Sequence, residues 1–399
     1  MPRRRRIPLT LFAALMLALV VGLVPLLPDA ERSGDALTQA ARRLAEPGPA
    51  MTAARGRLTP ALRAEIERVV ERGHLEGRVT GRVTAAALVE SQVRCAVFEG
   101  QRYCLGLGWT DRTETQVRAG LAAAALERRP ETVERTGDLD VVTTLRRAAA
   151  RGPAARARAE RAELTQAARA VAKVWLLRHH VERVPLPAGF LTAHPEARAD
   201  AAAAALARDR RRPDRIALMK GTRTNEQSRS YWCGPATTQM IAWGWQKERR
   251  PQRYWARRLG TTTEGTAISE IVRQVNRTTG YDGERRAGPY IVLDVSDYGF
   301  RQWMRLAKRH LADYRAPLVL HPVLLERFFP YLDDDASGHF QVGRGYRAKP
   351  GRTKRIGFFE PWNQQAFDPS EPFIERVQWR NAYKSYRANQ AHYQQNIGV

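Results

Sequence analysis

The stretch that decides the predicted fold is residues 227–242, which read QSRSYWCGPATTQMIA. Residues 236–245 follow a helical pattern, and Pro235 would lie in the first turn, where proline is tolerated. Cys233 is therefore predicted at or just before the N-terminus of a helix. Unpaired backbone N–H groups and the helix dipole lower the pKa of a thiol at that position. We therefore interpret Cys233 as a reactive thiol rather than a buried structural cysteine.

A thiolate that attacks an amide also needs donors for the oxyanion and an acid for the leaving group. Gln227 lies six residues before Cys233. Its side-chain NH₂ is predicted to be one oxyanion donor, and the backbone N–H of Cys233 is the natural second donor.

The acid is expected to be a histidine, and His339 has the best context of the eight in the chain. It opens residues 340–346, which alternate like a strand and are followed by a turn and a second strand, residues 356–359. Two antiparallel neighbours joined by a turn would bring Glu360, at the end of the second strand, back beside His339. Glu360 is therefore predicted to orient the imidazole through its far nitrogen.

The remaining histidines give no metal site, and no cofactor is predicted. His179 and His180 are adjacent and would point in different directions on a helix, which argues against shared ligation. His310 and His392 lie in polar, helical stretches and are predicted at the surface. Three cysteines are too few for a four-cysteine zinc site.

These residues resemble the C39-like branch of papain-like cysteine peptidases, in an exported, actinobacterial-type form. The motifs that carry the resemblance are Gln227 with CGPAT at residues 233–237, GHF at residues 338–340, and Glu360 followed by proline. Together they cover about residues 220–365 of the chain.

The resemblance implies an α+β fold of the papain-like kind, in which a helix carrying the cysteine packs on an antiparallel sheet carrying the histidine. It implies Cys233 as nucleophile, His339 as general acid and base, Glu360 as orienter and Gln227 in the oxyanion hole. The family usually has Asp or Asn as the third residue, so Glu360 is one methylene longer. The chain lacks a Gly-x-x-x-x-Gly-Lys-Ser/Thr loop, which excludes a complete peptidase–transporter fusion.

The N-terminus has the sequence pattern of an export signal. Residues 3–6 are four arginines, and a mainly apolar run follows to residue 27. This pattern predicts a signal peptide or a retained membrane anchor over residues 1–30, with the rest of the chain secreted or membrane-anchored outside the cell. A flexible linker is predicted over residues 31–58.

Two larger regions follow the linker. Residues 59–215 are predicted to form a mostly helical domain, and residues 216–399 the C39-like domain. The latter ends in an amphipathic basic-aromatic helix that would include Trp379. Export places the cysteines in an oxidising compartment, so Cys95 and Cys104 are predicted to form a disulfide across a short hairpin.

Charge is the outlier of the composition. Lys and Arg number 66 against 41 Asp and Glu, a net charge of +25, while 43% of the residues are hydrophobic. The hydrophobic content excludes a wholly disordered chain. The cations are nearly all arginines spread over the whole chain, as in a GC-rich genome, so no specific nucleic-acid site is predicted. An anionic cell-wall polymer remains a possible partner.

The predicted function is an exported cysteine peptidase acting on peptide or protein substrates. Two alternatives stay open. The same acyl-enzyme could pass its acyl group to an amine, as in a transpeptidase or a transglutaminase-like enzyme. The second alternative is a catalytically inactive, basic protein that binds the cell envelope.

Overall fold

The computed structural model of the chain describes residues 52–76, 83–126, 135–198, 212–367, 369 and 373–399. These residues lie within one compact unit, Pro49–Val399. The predicted signal or anchor at 1–30 and the linker up to residue 51 lie outside the described residues. In the described ranges, no helix is both long and apolar enough to cross a bilayer.

The described strands form one sheet that is largely antiparallel. In chain order they are β1 (Cys95–Phe98), β2 (Gln101–Cys104), β3 (Gly108–Thr110), β4 (Arg215–Ala217), β5 (Val292–Asp294), β6 (Leu318–Leu320), β7 (Gln341–Arg347), β8 (Arg355–Phe359), β9 (Val377–Asn381) and β10 (Asn396–Gly398). The order across the sheet is β1-β2-β3-β5-β10-β6-β7-β8-β9, and β4 pairs with β7. The β3–β5 pair is parallel, and the other strand pairs are antiparallel.

Helices surround this sheet. They are α1 (Pro60–Glu76), α2 (Ala85–Gln92), α3 (Glu114–Leu126), α4 (Val141–Ala149), α5 (Pro153–Ala168), α6 (Val171–Leu177), α7 (Phe190–Ala193), α8 (Cys233–Gln246), α9 (Gln252–Leu259), α10 (Ile268–Thr278), α11 (Phe300–Lys308), α12 (Gln364–Phe367) and α13 (Ala382–Ala391). In α10, the buried residues Ile268, Ile271, Val272 and Val275 recur at helical spacing and form one apolar face. This helix packs against α8 and against β10 and β6.

One hydrophobic core crosses the domain boundary predicted near residue 216. The main buried cluster runs from Leu62 in α1 to Val399. The β1–β3 meander of the predicted N-terminal region joins the sheet through β5 of the C-terminal region. The two predicted regions therefore share one sheet and one core, in a mixed helical and largely antiparallel architecture.

Two local predictions have clear outcomes. Cys95 and Cys104 form the predicted disulfide across the β1–β2 hairpin, which turns at residues 99–100. The predicted C-terminal helix is shorter than expected, because Trp379 lies in strand β9 and α13 begins only at Ala382. Pairing of β9 with the whole of β8 overrides the helical spacing of the aromatic residues.

Candidate active site

Cys233 is the first residue of α8, as the sequence predicts, and its thiol is not in a disulfide. The side chain is completely buried. Burial raises the pKa of this thiol well above its ordinary value, and the negative charge of Asp138 adds to the rise. The backbone N–H groups of Phe340 and Gly234 hydrogen bond to the sulfur and act in the opposite direction. In this closed arrangement the thiol is therefore kept neutral, although a helix terminus alone would favour the thiolate.

His339 and Glu360 meet as the strand prediction requires. Val342 of β7 pairs with Phe359 of β8, so the residue before β7 and the residue after β8 lie side by side. His339 Nε2 is 2.7 Å from Glu360 Oε1, and both side chains are fully buried. His339 Nδ1 is also buried and has no hydrogen-bond partner within the described ranges. The imidazole thus has one nitrogen fixed by a carboxylate and one available.

The Glu360 carboxylate is held by three further donors. Tyr331 Oη and Gln341 Nε2 each donate to Oε2 at 2.6 Å, and the backbone N–H of Trp362 donates to Oε1 at 2.9 Å. Burial acts to raise the pKa of Glu360, but His339, Tyr331 and the Trp362 N–H outweigh it, so the pKa is lowered. The extra methylene of Glu360 therefore does not prevent contact with the histidine.

Sequence reasoning missed both side-chain donors. Gln341 follows His339 by two residues, and that period is the one that places side chains on the same face of a strand. The alternation of side chains along the strand could therefore have identified Gln341. Tyr331 lies in an irregular segment, where no periodic pattern points to it.

Gln227 is completely buried. Its backbone N–H donates to the carbonyl oxygen of Pro361 at 2.7 Å, which fixes the residue beside Glu360. Its side-chain Nε2 is 3.1 Å from the carbonyl oxygen of Thr136, and the backbone N–H of Cys233 donates to the same oxygen at 3.3 Å. Both groups predicted to bind an oxyanion therefore reach one carbonyl oxygen of this chain. Gln227 Nε2 also donates to the carbonyl oxygen of Ser230 at 2.7 Å and lies 3.1 Å from that of Arg229.

That carbonyl belongs to residues 136–139, which we call the cleft segment and which is buried along its length. The Thr136 N–H donates to Ser337 Oγ at 3.0 Å. On the other side, the Thr266 N–H donates to the Gly137 carbonyl at 2.9 Å, and the Leu139 N–H donates to the Thr266 carbonyl at 3.0 Å. The sequence had given no signal that part of the region before residue 215 enters the site.

Asp138 of the cleft segment lies in a buried cluster with two histidines. Its Oδ1 is 3.0 Å from His321 Nε2, and its Oδ2 is 3.0 Å from His392 Nε2. Burial would raise the pKa of Asp138, but the charges and hydrogen bonds of His321 and His392 reverse the effect and lower it strongly.

These three side chains have the residue types and spacing of a metal site, because their ligand atoms lie within 4.8 Å of one another. A metal on His392 Nε2 would require the proton to be on Nδ1. Nδ1, however, accepts the backbone N–H of Gln394 at 3.1 Å, so Nε2 carries the proton and donates to Asp138. The residues present fit a hydrogen-bonded cluster around the Asp138 carboxylate rather than a metal site.

The predicted surface positions of His310 and His392 are wrong. His310 is completely buried, with Nε2 3.1 Å from the Pro317 carbonyl, and burial lowers its pKa well below the ordinary value. His392 is 1% exposed. Both follow helices whose ends pack under the sheet, which the polar character of their neighbours does not reveal.

The site thus combines a free cysteine at a helix N-terminus with a buried histidine–carboxylate pair carried by an antiparallel sheet. Residues 219–391 match the family described as Peptidase_C39 like family, which confirms the resemblance over that segment. The match includes Gln227, Cys233, His339 and Glu360, whereas the cleft segment precedes it. No curated protein and no solved structure matches the chain.

Proposed function

We propose that the chain is an exported cysteine peptidase that hydrolyses peptide bonds through an acyl-enzyme. Cys233 is the nucleophile, His339 the general acid and base, and Glu360 the residue that orients the imidazole. Gln227 Nε2 and the Cys233 N–H bind the oxyanion. The family match supports a peptidase-type enzyme, and the contacts of these four residues support their roles.

The reaction proceeds in two steps, formation of the acyl-enzyme and its hydrolysis. His339 accepts the thiol proton, and the sulfur of Cys233 bonds to the substrate carbonyl carbon, whose oxygen takes the negative charge. The C–N bond breaks, and the amine leaves with the proton from His339. Water then gives a proton to His339 and adds its hydroxyl to the acyl carbon, and the departing sulfur recovers the proton.

One set of observations carries the proposal: His339 and Glu360 form a buried pair, and the residue that follows His339, Phe340, hydrogen bonds through its backbone N–H to the sulfur of Cys233. With Nε2 on Glu360, the nitrogen left for the thiol proton is Nδ1, which makes no hydrogen bond to any described residue. The sulfur receives the N–H of Phe340, the residue next to His339. A structural cysteine would need neither an oriented imidazole nor two converging N–H donors.

Export is part of the proposal. The Cys95–Cys104 disulfide supports it, because such bonds persist in oxidising compartments and are rare in the reducing cytosol. Detection of the mature protein in the culture medium or the cell envelope, with its N-terminus sequenced, tests this part.

A digest of a peptide library tests the activity, with Cys233→Ala and His339→Ala run in parallel. His74→Ala, a half-buried histidine of α1, is the matched control. We expect cleavage that both active-site variants lose and the control keeps. Cleavage by Cys233→Ala at the wild-type rate contradicts the mechanism. Transfer to an added amine, seen as amidated products by mass spectrometry, identifies an acyltransferase instead.

A further inference from the structure

The cleft segment lies in the candidate site with a peptide carbonyl at the position of a substrate carbonyl. The Thr136 oxygen accepts from Gln227 Nε2 at 3.1 Å and from the Cys233 N–H at 3.3 Å. If these two groups form the oxyanion hole, the Thr136–Gly137 peptide occupies the place of a scissile bond. The residues that would bind a substrate are therefore already engaged by the chain itself.

The cleft segment is held by the cleft walls on both sides: backbone pairing with Thr266 resembles that of a bound peptide strand, and hydrogen bonds that involve the Thr136 hydroxyl and the Ser337 hydroxyl hold the other side. One wall is formed by Ser337 and Gly338, which accept from the Thr136 backbone N–H at 3.0 Å and from its hydroxyl at 2.6 Å. The other wall is Thr266, which exchanges hydrogen bonds with Gly137 and Leu139. This two-sided pairing fixes the direction and the register of the segment.

The leaving-group side is anchored by charge. Asp138 follows Gly137 and contacts His321 and His392 at 3.0 Å each, and all three side chains are buried. An amine released at Gly137 would stay beside the acyl-enzyme and close the bond again. A segment anchored in this way inhibits the enzyme instead of leaving as product. Because it is part of the chain, it also competes at the high effective concentration of an intramolecular ligand.

Glycine is required at position 137. Its φ is +106°, and a Cβ there would come within 2.3 Å of the Tyr231 backbone. The residue that follows the scissile bond lies against the loop before Cys233, which leaves no room for a side chain.

We propose that Thr136–Asp138 is a tethered substrate mimic that blocks the cleft, and that the peptides which the open cleft accepts carry glycine and then an acidic residue after the scissile bond. This inference rests on the proposed function, because it takes the site to be the active site of a peptidase. The cleft segment lies outside residues 219–391, so the block is a feature that this chain adds to its C39-like domain.

Alkylation by iodoacetamide tests the block without needing turnover. Cys95 and Cys104 are paired in a disulfide, so Cys233 is the thiol that reports. In Gly137→Ala, the added methyl group would collide with the backbone of Tyr231. Asp138→Asn removes the carboxylate charge that contacts His321 and His392. The control is Asp140→Asn, because asparagine keeps the N-cap hydrogen bond that Asp140 makes to α4.

We expect Gly137→Ala and Asp138→Asn to be alkylated at least about tenfold faster than the wild type and Asp140→Asn. In the wild type, the rate should reach a plateau at high iodoacetamide concentration, because opening of the segment becomes limiting. If the wild-type rate instead rises linearly with iodoacetamide concentration and reaches the rate of an exposed thiol, the proposal is overturned. This result needs only the wild type, so it holds even if a variant fails to fold. Equal rates in all four proteins overturn it as well.

A hexapeptide with the sequence of residues 135–140, RTGDLD, tests the substrate class. Added to Gly137→Ala, it should slow alkylation and be cleaved between threonine and glycine, whereas the hexapeptide with alanine for glycine should do neither. Protection without cleavage supports the mimic and contradicts the peptidase function. Failure to protect, or equal protection by both peptides, contradicts the mimic.

Discussion

Replacing Glu360 by glutamine removes a buried charge but keeps its shape. Oε1 can still accept from His339 and the Trp362 N–H, while the new NH₂ group faces Tyr331, which can accept, and Gln341, whose amide must turn over. Four charge-assisted hydrogen bonds become neutral ones, each weaker by roughly 1 kcal/mol. We expect Glu360→Gln to lower the free energy of unfolding by about 2–4 kcal/mol at neutral pH.

Alanine at the same position should cost more. It leaves four buried donors without an acceptor, at roughly 1–3 kcal/mol each, so the loss should be about 4 kcal/mol or larger. Urea unfolding followed by circular dichroism measures both values. Glu375→Gln is the control, because Glu375 is an exposed carboxylate that precedes β9.

The pH dependence gives a second check on Glu360. Folding lowers its pKa below the ordinary value of 4.5, so the stabilisation by the carboxylate is complete above that pH. It disappears as the pH falls through the folded value. The stability difference between the wild type and Glu360→Gln should therefore shrink in acid. A variant as stable as the wild type at neutral pH, or a difference that grows in acid, refutes the reasoning.

Two further predictions concern the β1–β2 hairpin. Replacing both Cys95 and Cys104 by serine should lower the free energy of unfolding by about 2–3 kcal/mol, because the disulfide closes a short loop with a sequence separation of 9. Urea titration with and without reductant measures this, and an unchanged midpoint argues against it. His194 bonds Glu99 at 2.5 Å and Glu196 at 2.9 Å, and these partners raise its pKa above 6.5. Its stabilisation is complete below that pH and is lost as the pH rises through the folded value. The stability lost in His194→Gln should therefore be largest in mild acid and smallest in base, and thermal melts that show the reverse contradict it.

The parts of the site that the sequence predicted depend on local structure. A cysteine before a helical pattern and a proline specify where α8 begins. His339 and Glu360 are only 21 residues apart and are joined by one strand pair, so alternation and a turn suffice to bring them together.

The parts of the site that the sequence did not predict join segments that are far apart in the chain. The Gln227–Thr136 contact spans 91 residues and the His392–Asp138 contact 254, and neither leaves a periodic trace in the sequence. The strands β3, β5 and β10 have three residues each, too few for alternation to reveal them. The mostly helical character predicted for residues 59–215 therefore concealed the sheet that this region shares with residues 216–399.

The position of β10 constrains how the protein assembles. This strand comes from residues 396–398, yet it lies inside the sheet, between β5 and β6. During synthesis its two neighbours are made first and each has an unpaired edge until β10 arrives. Unpaired edges of this kind template pairing with other chains. Partly synthesised chains that lack β10 are therefore the form of this protein that most needs protection from aggregation. The sheet closes only after β10 has been translated.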